Sequence, residues 1–401
     1  MRVSTLQRIA LYLLFFSINF EIWDPLNTNG SFSISKLTGF FYFLTLVGDL
    51  TFFLSISKIK KYIFPLVFFF FLLSVINFIN INSVSSQFVD FSILQNIILF
   101  ILLINHERKE PGVLENGMLS FALGSLFVAL FFQFGIGVGY DYGRVTVFGD
   151  NQNSIGIKEC ISIVVLLLII FRNNLLLNRL RYLLLFGLPV MLLLMAQTGS
   201  RTAFISFSLM FFVGLLLMKT KRGYYKIPIF FIGIIVAYFL WKYLASSDIL
   251  LQRLKSTRQT HDLGGRDRVW DEVIPFVKEN LVFGKGESGY TSYMTDITGA
   301  FYSPHNVILE VLCYTGLVGL FFYMLFLYRV FKISLRKYHT DGSLMQLLLL
   351  IPILGLLLSG QLLAVKIGYV IFAFCVSRKF SIKNDKRKFK KNDHVAKLSS
   401  V

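Results

Sequence analysis

Residues 62–81, YIFPLVFFFFLLSVINFINI, carry no charged side chain along their whole length. Crossing the ~30 Å hydrocarbon core of a bilayer takes about 20 apolar residues, because a helix rises ~1.5 Å per residue. Residues 62–81 meet that requirement, and the same reading extends outward in both directions. Apolar segments recur near 6–23, 36–57, 88–105, 116–138 and 154–171, then near 179–197, 200–218, 225–244, 306–328, 344–358 and 361–377. With 62–81 they make twelve. The pattern predicts an all-α polytopic membrane protein with about twelve transmembrane helices.

The composition agrees. Of 401 residues, 55% are hydrophobic, 16% aromatic and only 15% charged, with a mean hydropathy of +0.67. A soluble domain carries about 25% charged residues. Forty-four Phe present more apolar surface than a water-soluble body of this size can hide. Disordered, collagen-like and coiled-coil chains are excluded by the same figures. Cys160, Cys313 and Cys375 all sit in apolar runs, so a disulfide framework is excluded as well. No signal-peptide cleavage site follows the first segment, which reads as a retained span.

The net charge of +18 could suggest nucleic acid. Its distribution argues otherwise. Placing both termini in the cytoplasm puts most of the Lys and Arg on cytoplasmic connections, among them Arg8, Lys60, Arg108, Lys221 and Arg336, and in the basic tail 378–401. The longest outer loop, 245–305, nearly balances acid against base. The positive charge is therefore an insertion signal that meets anionic membrane lipids, and no nucleic-acid partner is expected. The chain divides into residues 1–244 with nine spans, the large outer loop 245–305, residues 306–377 with three spans, and the tail.

Within that loop, VWDEVIPFVKENLVFG sets Val269, Val273, Phe276 and Val277 at helical spacing, with Pro275 expected to kink or divide the helix. Such a helix would roof the cavity of the bundle. Three more outer-face features stand out: YDYGRVTVFGDNQNSIG at 140–156, QTGSRTA at 197–203 with Arg201 at a helix start, and SPHN at 303–306 ahead of the tenth span. Lys158, Glu159 and Lys366 lie at membrane depth, where ionisable groups are costly and mark function by default. Each has a plainer reading. Arg201 would serve as a headgroup anchor, Lys158 and Glu159 as structural glue paired with each other or with neighbours, Lys366 as an interior ion-pair partner, and His305 as an incidental boundary residue.

Together these motifs resemble the O-antigen ligase and polysaccharide polymerase superfamily. His305 and Asn306 precede nine residues and then Gly316-Leu317-Val318-Gly319, similar to the family's His-Asn, nine residues, Gly-x-x-Gly. TGSRTA resembles its Ser-Arg at a span start, and GRDRVW at 265–270 followed by ENLVFGKG resembles its outer-loop pattern; Asn153 at the start of the sixth span also fits. The similarity covers roughly 150–330. Ligases often continue the last Gly with a Thr pair, where this chain has Leu320 and Phe321, so ligase and polymerase both stay open.

The resemblance implies glycan transfer in lipopolysaccharide or related surface-polysaccharide biosynthesis, at the periplasmic face of the bacterial inner membrane. The donor would be an undecaprenyl-diphosphate-linked oligosaccharide. The acceptor would be a hydroxyl of lipid A-core or of nascent polysaccharide. His305 is the expected base, with an ordinary pKa of ~6.5 that leaves it neutral at working pH. Arg201 is the first choice for the leaving diphosphate, since a guanidinium binds phosphate oxygens in bidentate fashion and a helix N-terminus favours anions. Arg266, Arg268, Arg144, Asn306 and Lys158 are expected at the substrate. A single displacement implies an inverting, metal-independent enzyme without cofactor; the His are scattered and the Cys lie in spans. The alternative is a transporter or flippase of lipid-linked glycan, compatible with twelve spans and buried charge, although the two halves do not align as repeats.

Overall fold

The computed structural model describes residues 3–26, 28, 32–80, 89–141, 143–171, 178–217, 266–359 and 362–377. The helices over these residues are α1 (Val3–Ser17), α2 (Ile34–Leu46), the short α3 (Leu50–Phe53), α4 (Lys60–Ile79), α5 (Val89–Lys109), α6 (Val113–Gln133) and α7 (Gln152–Phe171). They continue as α8 (Leu188–Gln197), α9 (Arg201–Leu217), α10 (Arg266–Glu279), α11 (Gly286–Thr298), α12 (Val307–Asp341), α13 (Met345–Ser359) and α14 (Lys366–Ser377). Among the described residues six helical stretches are long and apolar enough to cross a membrane, and four shorter apolar helices accompany them. The chain is an α-helical, multi-pass membrane protein. The expected ninth span, 225–244, and the tail 378–401 lie outside the described residues.

Two expected spans are cut short. The segment 116–138 stops being helical at Gln133, where Gly135 and Gly137 take positive φ and turn the chain into a hairpin. Its strands, β1 (Val138–Asp141) and β2 (Arg144–Val147), pair Tyr140 with Val145 and Asp141 with Arg144. The segment 179–197 is α-helical only from Leu188, with 3₁₀ turns over Asn178–Gly187 before it. Pro189 explains the break, because it has no N–H to continue the ladder and restricts the residue ahead of it.

Other prolines are accommodated inside helices. Pro65 in α4 leaves the carbonyl of Lys61 without its usual helical donor, and a guanidinium N–H of Arg329 in α12 donates to that oxygen instead. Pro275 does not divide α10. The carbonyl it deprives belongs to Asp271, an exposed residue that water can serve.

The bundle is organised around α7, whose apolar window is 78% buried, against 17% for α2 at the periphery. α7 packs against α6, α8, α9 and α13, while α1 packs on α2 and α6, and α12 on α4. At one end of the bundle meet the end of α1, the starts of α2, α5, α7 and α14, and the end of α13, around one polar cavity. At the other end Arg8 pairs with Glu110 at 3.1 Å and Lys109 with Asp49. The part of α12 after Gly316, residues 317–341, is ~37 Å long at ~1.5 Å per residue, more than a bilayer needs, and its last turns carry Arg336, Lys337 and His339 at that same end.

Candidate active site

The segment from α10 to the start of α12 converges on His305. α10 buries Val273, Phe276 and Val277 and packs on α12. From this helix Trp270 Nε1 donates to the carbonyl of Pro304 at 2.8 Å. From α11 the Tyr290 hydroxyl donates to the carbonyl of Tyr302 at 2.8 Å. The Ser303 hydroxyl donates to Glu310 Oε1 at 2.7 Å and accepts from the N–H of His305 at 3.2 Å. Asn306 caps α12, its side-chain oxygen accepting from the N–H groups of Ile308 (2.9 Å) and Leu309 (3.4 Å). Clamped on both sides, His305 adopts φ 49, in the left-handed region that non-glycine residues seldom occupy. Strain of this kind persists only where the surroundings over-determine it, and it gathers at functional sites.

The glycine motif after His305 has a structural task. Gly316 takes φ 61 and breaks α12 one-third of the way along it. The segment leading out of α10 docks into the break. The N–H groups of Leu317 and Val318 donate to the carbonyls of Leu281 (2.9 Å) and Val282 (3.2 Å), and the N–H of Lys285 donates to the carbonyl of Cys313 (2.9 Å). A Cβ on Gly316 would lie 2.3 Å from the Val282 carbonyl. The backbones meet there because a side chain is missing.

Three expected residues are linked electrically. Enclosure by protein, and then the guanidinium of Arg266, hold the His305 imidazole below the ordinary histidine pKa. Enclosure, and then Arg201, lower Arg266 in turn. Arg201 opens α9 directly after Ser200, whose hydroxyl oxygen accepts from the N–H of Ala203 at 3.3 Å. Its guanidinium therefore stands where the positive end of the helix dipole already favours anions. Arg268 is exposed on α10.

The other expected residues are engaged with protein groups. Arg144 donates from Nε to the carbonyl of Thr198 at 2.8 Å and from Nη2 to Asn153 Oδ1 at 3.0 Å, tying the hairpin to the turn that carries Arg201. Lys158 does not pair with Glu159. Its ammonium meets Asp150 Oδ2 at 2.8 Å, because residues one apart on a helix point to different sides and Asp150 comes back over the first turn of α7. Lys366 donates to Glu21 Oε1 at 2.8 Å and to the Ser35 hydroxyl at 3.1 Å, the ion-pair role expected of it.

Both ion pairs, with His305, line a cavity of about 500 Å³. Glu21, Ser33, Lys36, Gln95 and Asn96 complete much of its polar wall. None of these five stood out in the sequence. Glu310, buried one turn into α12, was missed too, although an acid at membrane depth is a signal by itself.

Comparison with known proteins bears on the same region. Residues 186–324 match the family model described as O-antigen ligase. The match spans about a third of the chain and supports the resemblance of this region to the O-antigen ligase and polymerase superfamily. The matched segment holds Arg201, Arg266, Arg268, His305, Asn306, Gly316 and Gly319, and leaves out Arg144 and Lys158. A protein of Haemophilus influenzae described as uncharacterized is 29% identical over 313 residues, covering 71% of this chain and 74% of the relative.

Proposed function

We propose that this O-antigen-ligase-type protein is an inverting membrane glycosyltransferase. It moves a saccharide from undecaprenyl diphosphate onto the hydroxyl of lipid A-core or of a growing polysaccharide. The observation that carries the reading is the placement of His305, on the rim of a polar cavity with Arg266 and then Arg201 in electrostatic reach. The family works on lipid-linked polysaccharide, and lipid diphosphate is the leaving group that such arginines suit.

In this scheme the acceptor hydroxyl gives its proton to His305. Its oxygen forms the new bond to the anomeric carbon as the bond from that carbon to the diphosphate oxygen breaks. The diphosphate leaves with the electron pair, and Arg201 and Arg266 stabilise the charge that builds on it. Attack from the face opposite the leaving group inverts the anomeric carbon. Arg268 and Arg144 stand in the second rank for the diphosphate, with Arg144 acting through the turn it braces. Asn306 holds the loop, Lys158 faces the saccharide, and no metal or cofactor enters the scheme.

In this reading the site lies on the periplasmic side and both termini are cytoplasmic. The basic residues gathered at the end of the bundle away from the cavity support this orientation. The test is purified protein reconstituted with a lipid-diphosphate-linked repeat unit, supplied alone and then with lipid A-core. A ladder from donor alone would identify a polymerase, and a product only with core a ligase. Turnover in neither case would refute the assignment.

A further inference from the structure

The polar cavity beside His305 does not end in protein. It adjoins a second hollow of about 570 Å³ between α1, α2 and α5, lined by Leu14, Phe40, Phe43, Leu99 and Leu102. Lys36, Gln95, Asn96 and Lys366 line both spaces. A polar chamber and an apolar groove thus share a wall of ammonium and amide groups, about four side chains wide. This is the outline of an amphiphile, with a saccharide head in the chamber and a hydrocarbon chain in the groove. None of Arg144, Arg201, Arg266 or Arg268 lines either space, so the groups suited to the donor diphosphate stand apart from it. The chamber also contains a buried group left unsatisfied among the described residues: the Ser33 hydroxyl, 2% exposed, has no hydrogen-bond partner among them. An unmet buried hydroxyl is costly, and a sugar hydroxyl would relieve it.

We infer that the chamber and groove are the acceptor's site, and that the acceptor carries its own hydrocarbon chain, seated between α2 and α5. The inference rests on the transferase reading above and deepens it. His305 then faces the acceptor across the chamber, where a base for its hydroxyl must stand.

Two measurements test it. A saccharide linked to a polyisoprenoid chain bearing a photoreactive diazirine is irradiated with the reconstituted full-length protein, and the labelled residues are mapped by mass spectrometry. Labels are expected on Phe40, Phe43, Leu99 and Leu102, competed by unlabelled saccharide-lipid and not by phosphatidylethanolamine. Labels elsewhere, or equal competition by the phospholipid, would overturn the inference, the second showing an ordinary bilayer lipid in the groove. Separately, Gly39→Leu narrows the groove, since a Cβ there meets only Leu14 Cδ1, at 3.7 Å. The variant should raise KM several-fold for the chain-bearing acceptor and leave it unchanged for the same saccharide on a short water-soluble aglycone. Phe41→Trp, on an exposed face outside the groove, is the control. A change in donor KM instead would overturn the acceptor assignment. Correct labelling without any transfer by the wild type would sink the transferase reading alone.

Discussion

Trp270 Nε1 lies 2.8 Å from the carbonyl oxygen of Pro304, the residue immediately before His305. One hydrogen bond thus joins the amphipathic helix of the outer segment to the loop that carries the candidate base. With the Ser303–Glu310 bond on the other side, it fixes where the imidazole can go.

Trp270→Phe keeps the apolar ring and removes that donor. The lost bond is worth about 0.5–1.5 kcal/mol of stability, so the melting temperature in detergent should fall only slightly. Misplacing a catalytic group by about 1 Å can cost ~100-fold in rate, so kcat should fall ten- to a hundredfold. Unchanged kcat would mean that the loop does not need the indole.

His305 has its pKa held below 6.5 by enclosure and by Arg266. A base works in its neutral form, so kcat/KM should be on its plateau at neutral pH and fall on the acid side, with a midpoint below 6.5. Arg266→Gln removes a charge that disfavours the imidazolium. The acid limb should then move to higher pH, apart from any loss of rate through weaker diphosphate binding. A limb that stays put would separate Arg266 from His305.

Gly316→Ala asks an alanine to adopt φ 61 with its Cβ 2.3 Å from the Val282 carbonyl. With ψ at −160 this backbone is essentially reserved for glycine and costs another residue about 1–3 kcal/mol, and the contact adds to it by undocking residues 281–285 from α12. A sharp drop in folded, monodisperse protein by size-exclusion chromatography is expected. At Gly319 an added Cβ would lie 2.3 Å from Thr315 Cβ, which no side-chain rotation can move, so Gly319→Ala should destabilise α12 as well.

The Lys158–Asp150 pair is almost fully buried. Removing one partner strands a charge, so Asp150→Asn should destabilise by about 3–5 kcal/mol. Adding Lys158→Met should recover part of that loss, as thermal unfolding of the double variant would show. Strict additivity would contradict the pairing.

The helical, multi-pass character was legible because bilayer crossing imposes one strong rule, a run of ~20 apolar residues, which six helical stretches among the described residues meet. That rule failed where short-range backbone chemistry overrules hydropathy, at Gly135 and Gly137 after α6 and at Pro189 before α8. Part of the candidate site carries sequence signals. Arg201, Arg266 and His305 carry motifs, and the structure brings them together. Glu21, Lys36, Gln95 and Asn96 were not legible, because they come from three separate helix ends and share a cavity only once the bundle is packed. The glycines of the motif were visible as a spacing, yet their reason lies in a backbone contact with residues 281–285 that no spacing encodes.

The most direct test of His305 as the base is a substitution that keeps its backbone. Asn tolerates positive φ better than other residues, so His305→Asn should leave the loop and the melting temperature in place. Transfer from the lipid-diphosphate donor, read as product on a gel at neutral pH, should fall at least a hundredfold, within the ~10²–10⁴ range of general-base catalysis. A stably folded His305→Asn protein with wild-type transfer would contradict the assignment.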